Sequence, residues 1–247
     1  MFAALLTAAI AASAQSRRVV VISHRGEHLH HPENTIAAFQ GAVDAGADFF
    51  ELDVRTTADG KFVLMHDATV DRMTNSKGEV EKMTLDEIRK LDVKGERVPT
   101  FEEALRFAHG KIGVYVDSKK IRAVDVVSLL EQCDMSDRVV IYGGANYLRE
   151  VAALRPKLRV MPEAGNVDRL RAFLDSVPLQ VVAFDKSDFL DPVIAVARDA
   201  KADVYVDRLG EADNPTAWLD AVKRGATGIQ TDHPAELVAF LKANGYR

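Results

Sequence analysis

Glu51 and Asp53 stand two residues apart inside the apolar run Phe49 to Val54. On an extended strand such a pair shares one face, while Leu52 and Val54 share the other. Two like charges aimed together away from water are costly unless something neutralises them. A divalent cation does this well, and Asp117, at the end of another apolar run, supplies a third carboxylate. An all-oxygen set of this kind suits one Mg²⁺ or Ca²⁺ ion rather than zinc. The alternative is that the three acids pair with Arg25, Arg55 and Lys119 and hold no metal. His24 and His66 also close apolar runs, each beside a polar or charged residue. Two imidazoles suit acid–base work near neutral pH, one taking a proton and the other giving one. Phosphodiester cleavage needs both roles, together with positive charge at the phosphate oxygens. Arg25, Lys119 and the metal would supply that charge.

Other polar residues carry weaker signals. His28, His30 and His31 cluster in a loop and read as solvent-facing. Asn34 precedes a helical pattern and reads as its N-cap. Glu163, Asp185, Asp207 and Arg208 follow apolar runs and are expected along a rim. Trp218 and the single cysteine, Cys133, fall on helical patterns and read as packing. One cysteine excludes an internal disulfide and a Cys-rich zinc site.

The elements that must position these residues alternate. Strand candidates run from Val19 to Ile22, Phe49 to Val54, Ile112 to Val116, Arg138 to Tyr142, Leu158 to Met161, Gln180 to Phe184, Asp203 to Val206 and Gly228 to Thr231. They are rich in Val, Ile, Phe and Tyr, as strands buried on both faces are. Helical patterns separate them, and one more, Ala235 to Ala243, follows the last. Alternation implies a parallel sheet with right-handed crossovers, and eight such units imply closure into a (β/α)8 TIM barrel. An open doubly wound sheet is the alternative, without a Gly-rich dinucleotide fingerprint to support it. In a closed barrel the active site lies at the C-terminal ends of the strands, where the polar residues concentrate. One stretch breaks the alternation: Phe62 to Met65 follows the second strand after Thr57-Ala58-Asp59-Gly60 alone. A parallel return needs a crossover of a dozen or more residues, so the Asp-Gly pair predicts a tight hairpin. The antiparallel strand then heads an insertion over about residues 57–99, with a capping box from Thr84 to Glu87.

The whole chain sets outer bounds. Its 247 residues, 47% hydrophobic and 28% charged, fit one globular barrel domain. A net charge of −5 and the lack of any Lys/Arg run give no reason to expect nucleic acid. Residues 1–14 are uncharged and apolar and end in Ala12-Ser13-Ala14, which predicts a signal peptide cut before Gln15 and an exported protein, periplasmic or extracellular. The mature domain would then be residues 15–247, with no stable membrane insertion. The sequence carries no signal for oligomeric state.

Taken together, these motifs resemble the glycerophosphodiester phosphodiesterase family. The matching text is HRG at His24 to Gly26, HPENTIAAF from His31 to Phe39, GADFFELDVRTTADG from Gly46 to Gly60, VLMHD from Val63 to Asp67, the acid-x-Lys ending at Asp117 to Lys119, and GIQTDHP from Gly228 to Pro234. The resemblance implies a barrel with an insertion after its second strand. It implies His24 and His66 as the acid–base pair, Glu51, Asp53 and Asp117 as ligands of Mg²⁺ or Ca²⁺, and Arg25 and Lys119 near the phosphate. It also implies a small-molecule glycerophosphodiester substrate, hydrolysed to glycerol 3-phosphate and an alcohol; the residues alone are compatible with attack by water or by the substrate's own glycerol hydroxyl. Three departures stand out: Asp117 where the family usually has Glu, Tyr142-Gly143-Gly144 for a Ser-Phe ending, and Val204 to Arg208 without the usual Trp and Asn. They leave the catalytic half intact and alter the leaving-group side. The competing readings are a related barrel phospholipase acting on a lipid headgroup and a catalytically silent binding barrel.

Overall fold

The computed structural model describes residues 18–247. The expected signal peptide over residues 1–14 lies outside the described residues. Eight parallel strands form the sheet: β1 Val20–Ser23, β2 Phe49–Thr56, β4 Gly113–Asp117, β5 Val139–Tyr142, β6 Arg159–Met161, β7 Val181–Phe184, β8 Asp203–Asp207 and β9 Gly228–Thr231. Their order is β6-β5-β4-β2-β1-β9-β8-β7. The two ends meet through a parallel bridge between Glu163 and Ala183, with the Ala164 N–H donating to the Ala183 carbonyl at 2.9 Å. The sheet is therefore a nearly closed barrel, not an open doubly wound sheet. Helices alternate with the strands: α1 Ile36–Asp44, α3 Phe101–Ala108, α4 Ala123–Gln132, α5 Ala145–Leu154, α6 Val167–Leu174, α7 Asp191–Asp199, α8 Pro215–Arg224 and α9 Pro234–Ala243. Their apolar faces pack on the outward side chains of the strands in one continuous core.

The inward side chains form a second core. Ile22, Tyr115, Val140, Met161, Val181, Ala183 and Tyr205 fill the barrel. Two large rings fit because glycines face them. A Cβ on Gly113 would stand 2.4 Å from the Phe49 ring, and one on Gly228 would stand 2.5 Å from Tyr205. With its lower part filled by side chains, the barrel leaves its polar chemistry to the upper end, where the strands finish.

The predicted hairpin is present. β3, Phe62–Leu64, pairs antiparallel with β2, Val54 opposite Leu64. The turn is closed by the Thr57 N–H donating to the Lys61 carbonyl at 2.8 Å. From β3 the insertion runs through α2, Leu85–Ile88, whose Thr84–Glu87 capping box forms as expected. It carries its own small core of Val63, Met65, Val70, Met73, Val80, Ile88, Val93 and Val98. The chain rejoins the barrel at Thr100, which caps α3 in a second box with Glu103.

Candidate active site

The alternation of side chains along a strand sends Glu51, Asp53 and Asp117 inward at the barrel mouth. There they line one cavity of about 230 Å³ with His24, Arg25, His66, Lys119, Tyr115, Tyr142, Asp207, Leu209 and Gln230. All seven residues singled out from the sequence thus meet in one place.

One oxygen from each of Glu51, Asp53 and Asp117 lies within 4.8 Å of the others. Glu51 is 3% exposed and Asp53 1%. Burial, then the neighbouring charges of Asp53 and Asp117, push the Glu51 carboxyl well above the usual range, although the Arg25 backbone N–H donates to it at 2.8 Å. Burial also raises Asp117, against the pull of Lys119. The ion pairs of the metal-free alternative form in part. Lys119 Nζ lies 2.6 Å from Asp117 and 3.3 Å from Asp53, and Arg25 Nε lies 3.7 Å from Asp53. Arg55 is not a partner: its guanidinium donates to the carbonyls of Met65 and His66, bracing the end of β3. Two cations against three carboxylates, Glu51 and Asp53 buried and Asp117 half-buried, leave the cluster short of positive charge. Its all-oxygen donors at this spacing fit a hard divalent cation.

Asn34 corrects the reading of it as an N-cap. Its backbone is left-handed, φ 58°, and the cap of α1 is Thr35, whose hydroxyl accepts the Ala38 N–H at 3.2 Å. The Asn34 amide instead clamps Asp53. Nδ2 donates to the carboxylate at 2.8 Å, and Oδ1 accepts the Asp53 N–H at 3.1 Å.

Each histidine is held by a carboxylate. His24 Nδ1 lies 2.8 Å from Asp232 Oδ1, and His66 Nδ1 lies 2.8 Å from Asp67 Oδ1. A carboxylate only accepts, so both Nδ1 atoms carry protons, and each Nε2 is left for a ligand. Asp67 is shared with Arg72, whose hydrogen bond, with that of His66, brings its pKa down to about 2 despite partial burial. Arg72 also donates to Glu33 at 2.7 Å, tying the insertion to the loop after β1. Burial works against the Asp232 charge, but the His24 hydrogen bond holds this carboxyl below its ordinary value. Behind it, buried Asp213 accepts from the Asp232 N–H, the Thr231 hydroxyl and the Trp218 indole. Trp218 is thus packing, as expected, and also anchors the turn that bears Asp232.

His28 is not solvent-facing. Its Nδ1 donates to the His24 carbonyl at 2.7 Å, and its ring meets that of His24 edge-on. His30 is exposed, as expected. Around the rim, Asp207 faces the cavity, and burial with the charge of Asp185 raises its carboxyl to about 7. Tyr142 donates its hydroxyl to Glu163 at 2.7 Å, while burial pushes the Glu163 carboxyl up. Arg208 leaves the rim: it is buried, with its guanidinium over the Phe189 ring at 4.8 Å. Asp232, Tyr115 and Gln230 were not picked out as site residues from the sequence, and Asn34 was read there only as a cap. Asp232 stands 208 positions from His24 and becomes its neighbour only because closure pairs β9 with β1.

The profile of the glycerophosphoryl diester phosphodiesterase family matches residues 24–236. A glycerophosphodiester phosphodiesterase of Caldanaerobacter subterraneus is 31% identical over 92% of this chain and 100% of its own length. A crystal structure of a glycerophosphodiester phosphodiesterase from Agrobacterium tumefaciens superposes with TM-score 0.77 at 27% identity, over 90% of this chain and 99% of that one. An Oleispira antarctica phosphodiesterase, solved with its product sn-glycerol-3-phosphate, gives TM-score 0.82 at 21% identity over 91% of this chain and 97% of its own, a likeness of fold. Fold, motifs and whole-length similarity agree, and the chain belongs to the glycerophosphoryl diester phosphodiesterase family.

Proposed function

We propose that this protein hydrolyses glycerophosphodiesters to glycerol 3-phosphate and an alcohol, using one divalent cation and a pair of histidines. The observation that carries this reading is the meeting, in one cavity, of two carboxylate-held histidines with the Glu51–Asp53–Asp117 cluster. The activity of the Caldanaerobacter relative, similar over its whole length, points the same way.

Glu51, Asp53 and Asp117 would hold the cation, and a cation there supplies positive charge to the non-bridging phosphate oxygens. The chain's own residues do the rest. Arg25 Nε is buried and without a hydrogen-bond partner, a donor left for a phosphate oxygen. Lys119, half-buried beside Asp117 and Asp53, keeps its proton: burial opposes the charge, but the acids around it raise its pKa. Asp232 and Asp67 fix the tautomer and orientation of His24 and His66. One Nε2 receives the proton of the attacking oxygen, and the other gives its proton to the leaving alcohol. Arg72 holds Asp67, and Asn34 holds Asp53.

The test is a panel of glycerophosphodiesters with product identification, in EDTA and with Mg²⁺ or Ca²⁺ restored. Glycerol 3-phosphate should appear only with the cation present. Full turnover in excess EDTA overturns the metal assignment, and no turnover of any ester under any condition overturns the function.

A further inference from the structure

The cavity has two unlike halves. The half formed by β1, β2 and β4 holds the metal cluster, Arg25 and Lys119, and in the reading above it takes the phosphate. The other half is formed by β5, β8 and β9. There Asp207 and Gln230 are register partners on adjacent strands, and Tyr142 also lines the cavity. The Asp207 carboxylate makes no hydrogen bond or ion pair among the described residues. The guanidinium of Arg208 next to it donates to the Asp207 backbone carbonyl, 3.0 Å away, and stacks on Phe189 rather than pairing with the carboxylate. Gln230 is 5% exposed, and its side-chain oxygen is buried without a partner. Asp185 and Glu163 add further negative charge close enough to act on Asp207. The cations that line the cavity, Arg25 and Lys119, are both on the phosphate side.

A buried acceptor without a donor is costly to leave unmet, and more so when it is charged. The buried Gln230 oxygen beside the half-buried Asp207 carboxylate, with an aromatic ring in the same half, matches a positively charged donor group: an ammonium can give hydrogen bonds to both acceptors and lie against the ring. A neutral polyol would satisfy the hydrogen bonds but leave the charge. An anionic alcohol would meet like charge.

Resting on the hydrolase reading, we propose that Asp207, with Gln230 and Tyr142, forms the subsite for the leaving alcohol and makes the enzyme selective for diesters whose alcohol carries an ammonium group. Asp207 is a specificity-determining residue that contacts the alcohol rather than the reacting phosphate.

The experiment compares kcat/KM for glycerophosphoethanolamine and glycerophosphoglycerol at pH 8, in the wild type, Asp207→Asn and Asp207→Glu, with bound cation counted per chain. The wild type should favour the ammonium ester by roughly 10- to 100-fold, the scale of one hydrogen bond to a charged group. Asp207→Asn should bring the ratio close to one, and Asp207→Glu, which keeps the charge, should retain most of it. Should Asp207→Asn fail to fold, the wild-type ratio and the Asp207→Glu ratio still decide. Equal turnover of the two esters by the wild type overturns the subsite and leaves the hydrolase standing. So does an unchanged ratio in Asp207→Asn, or a second bound cation that Asp207→Asn loses. Turnover of neither ester removes the subsite and the hydrolase reading together.

Discussion

Asn34 uses both ends of its amide on Asp53, one to the carboxylate and one to the backbone N–H. It is the kind of outer partner that keeps a ligating carboxylate aimed. Asn34→Ala should therefore weaken cation affinity or activity by roughly 10- to 100-fold, read by titrating Mg²⁺ into chelated enzyme. The helix should survive, because Thr35 still caps it. The sequence misleads here for a physical reason. Asn ahead of a helix reads as a cap, yet Asn also tolerates left-handed backbone, and that twist hands the cap to the next residue. Glu51 and Asp53 were legible because a strand's period of two fixes their common face whatever surrounds it. Asp207 leads to a second prediction. Its folded pKa of about 7 stands above the ordinary value of 3.8, so the folded chain holds a proton that the unfolded chain releases. Stability from this group is full below about 4 and is lost as pH rises through about 7. Asp207→Asn should then raise the Tm of metal-free protein at pH 8, by roughly 2–4 °C for each kcal/mol recovered in a chain of this size. The gain should vanish near pH 4. Equal Tm values at pH 8 would remove the strain argued for this carboxylate.

At the scale of elements, the strands and helices were legible because each is a local pattern, apolar runs for one and spaced apolar faces for the other. The antiparallel β3 was legible from loop length and Asp59-Gly60. Asp232 beside His24 was not, because no local pattern says which strand ends will be neighbours; only closure does. The same holds for His28, whose loop folds back onto the His24 carbonyl. The strands themselves depend on pairs of unlike size inside the barrel. Gly228 leaves room for the Tyr205 ring, where an added Cβ would stand 2.5 Å away. Gly228→Ala should destabilise by about 1–3 kcal/mol through overpacking, seen as a lower urea midpoint with an unchanged slope. A neutral effect would mean that the ring can move aside.

Across the whole molecule, the cavity joins distant parts of the chain. His24 directly follows β1 and is oriented from the turn after β9; His66 follows β3 and is oriented by Asp67 and Arg72 of the insertion. If the two exchange protons with the attacking and leaving oxygens, kcat should follow a bell-shaped pH profile. His24→Ala and His66→Ala should each lower kcat by roughly 10²- to 10⁴-fold while circular dichroism stays unchanged. An ester with a nitrophenolate leaving group should rescue one variant and not the other, which tells acid from base. Near wild-type kcat in both variants would end the acid–base assignment.

The insertion keeps its own apolar cluster, apart from the barrel's. It can therefore open sub-globally, carrying His66 away while the eight parallel strands stay shut. Warming should extinguish activity reversibly several degrees before the barrel melts, and amides over residues 65–98 should exchange with deuterium ahead of those in β1, β2 and β4. If glycerol 3-phosphate binds between the two parts, as the proposed reaction requires, it should slow that exchange by mass action. Coincident loss of activity and of barrel ellipticity would show that the two clusters unfold as one.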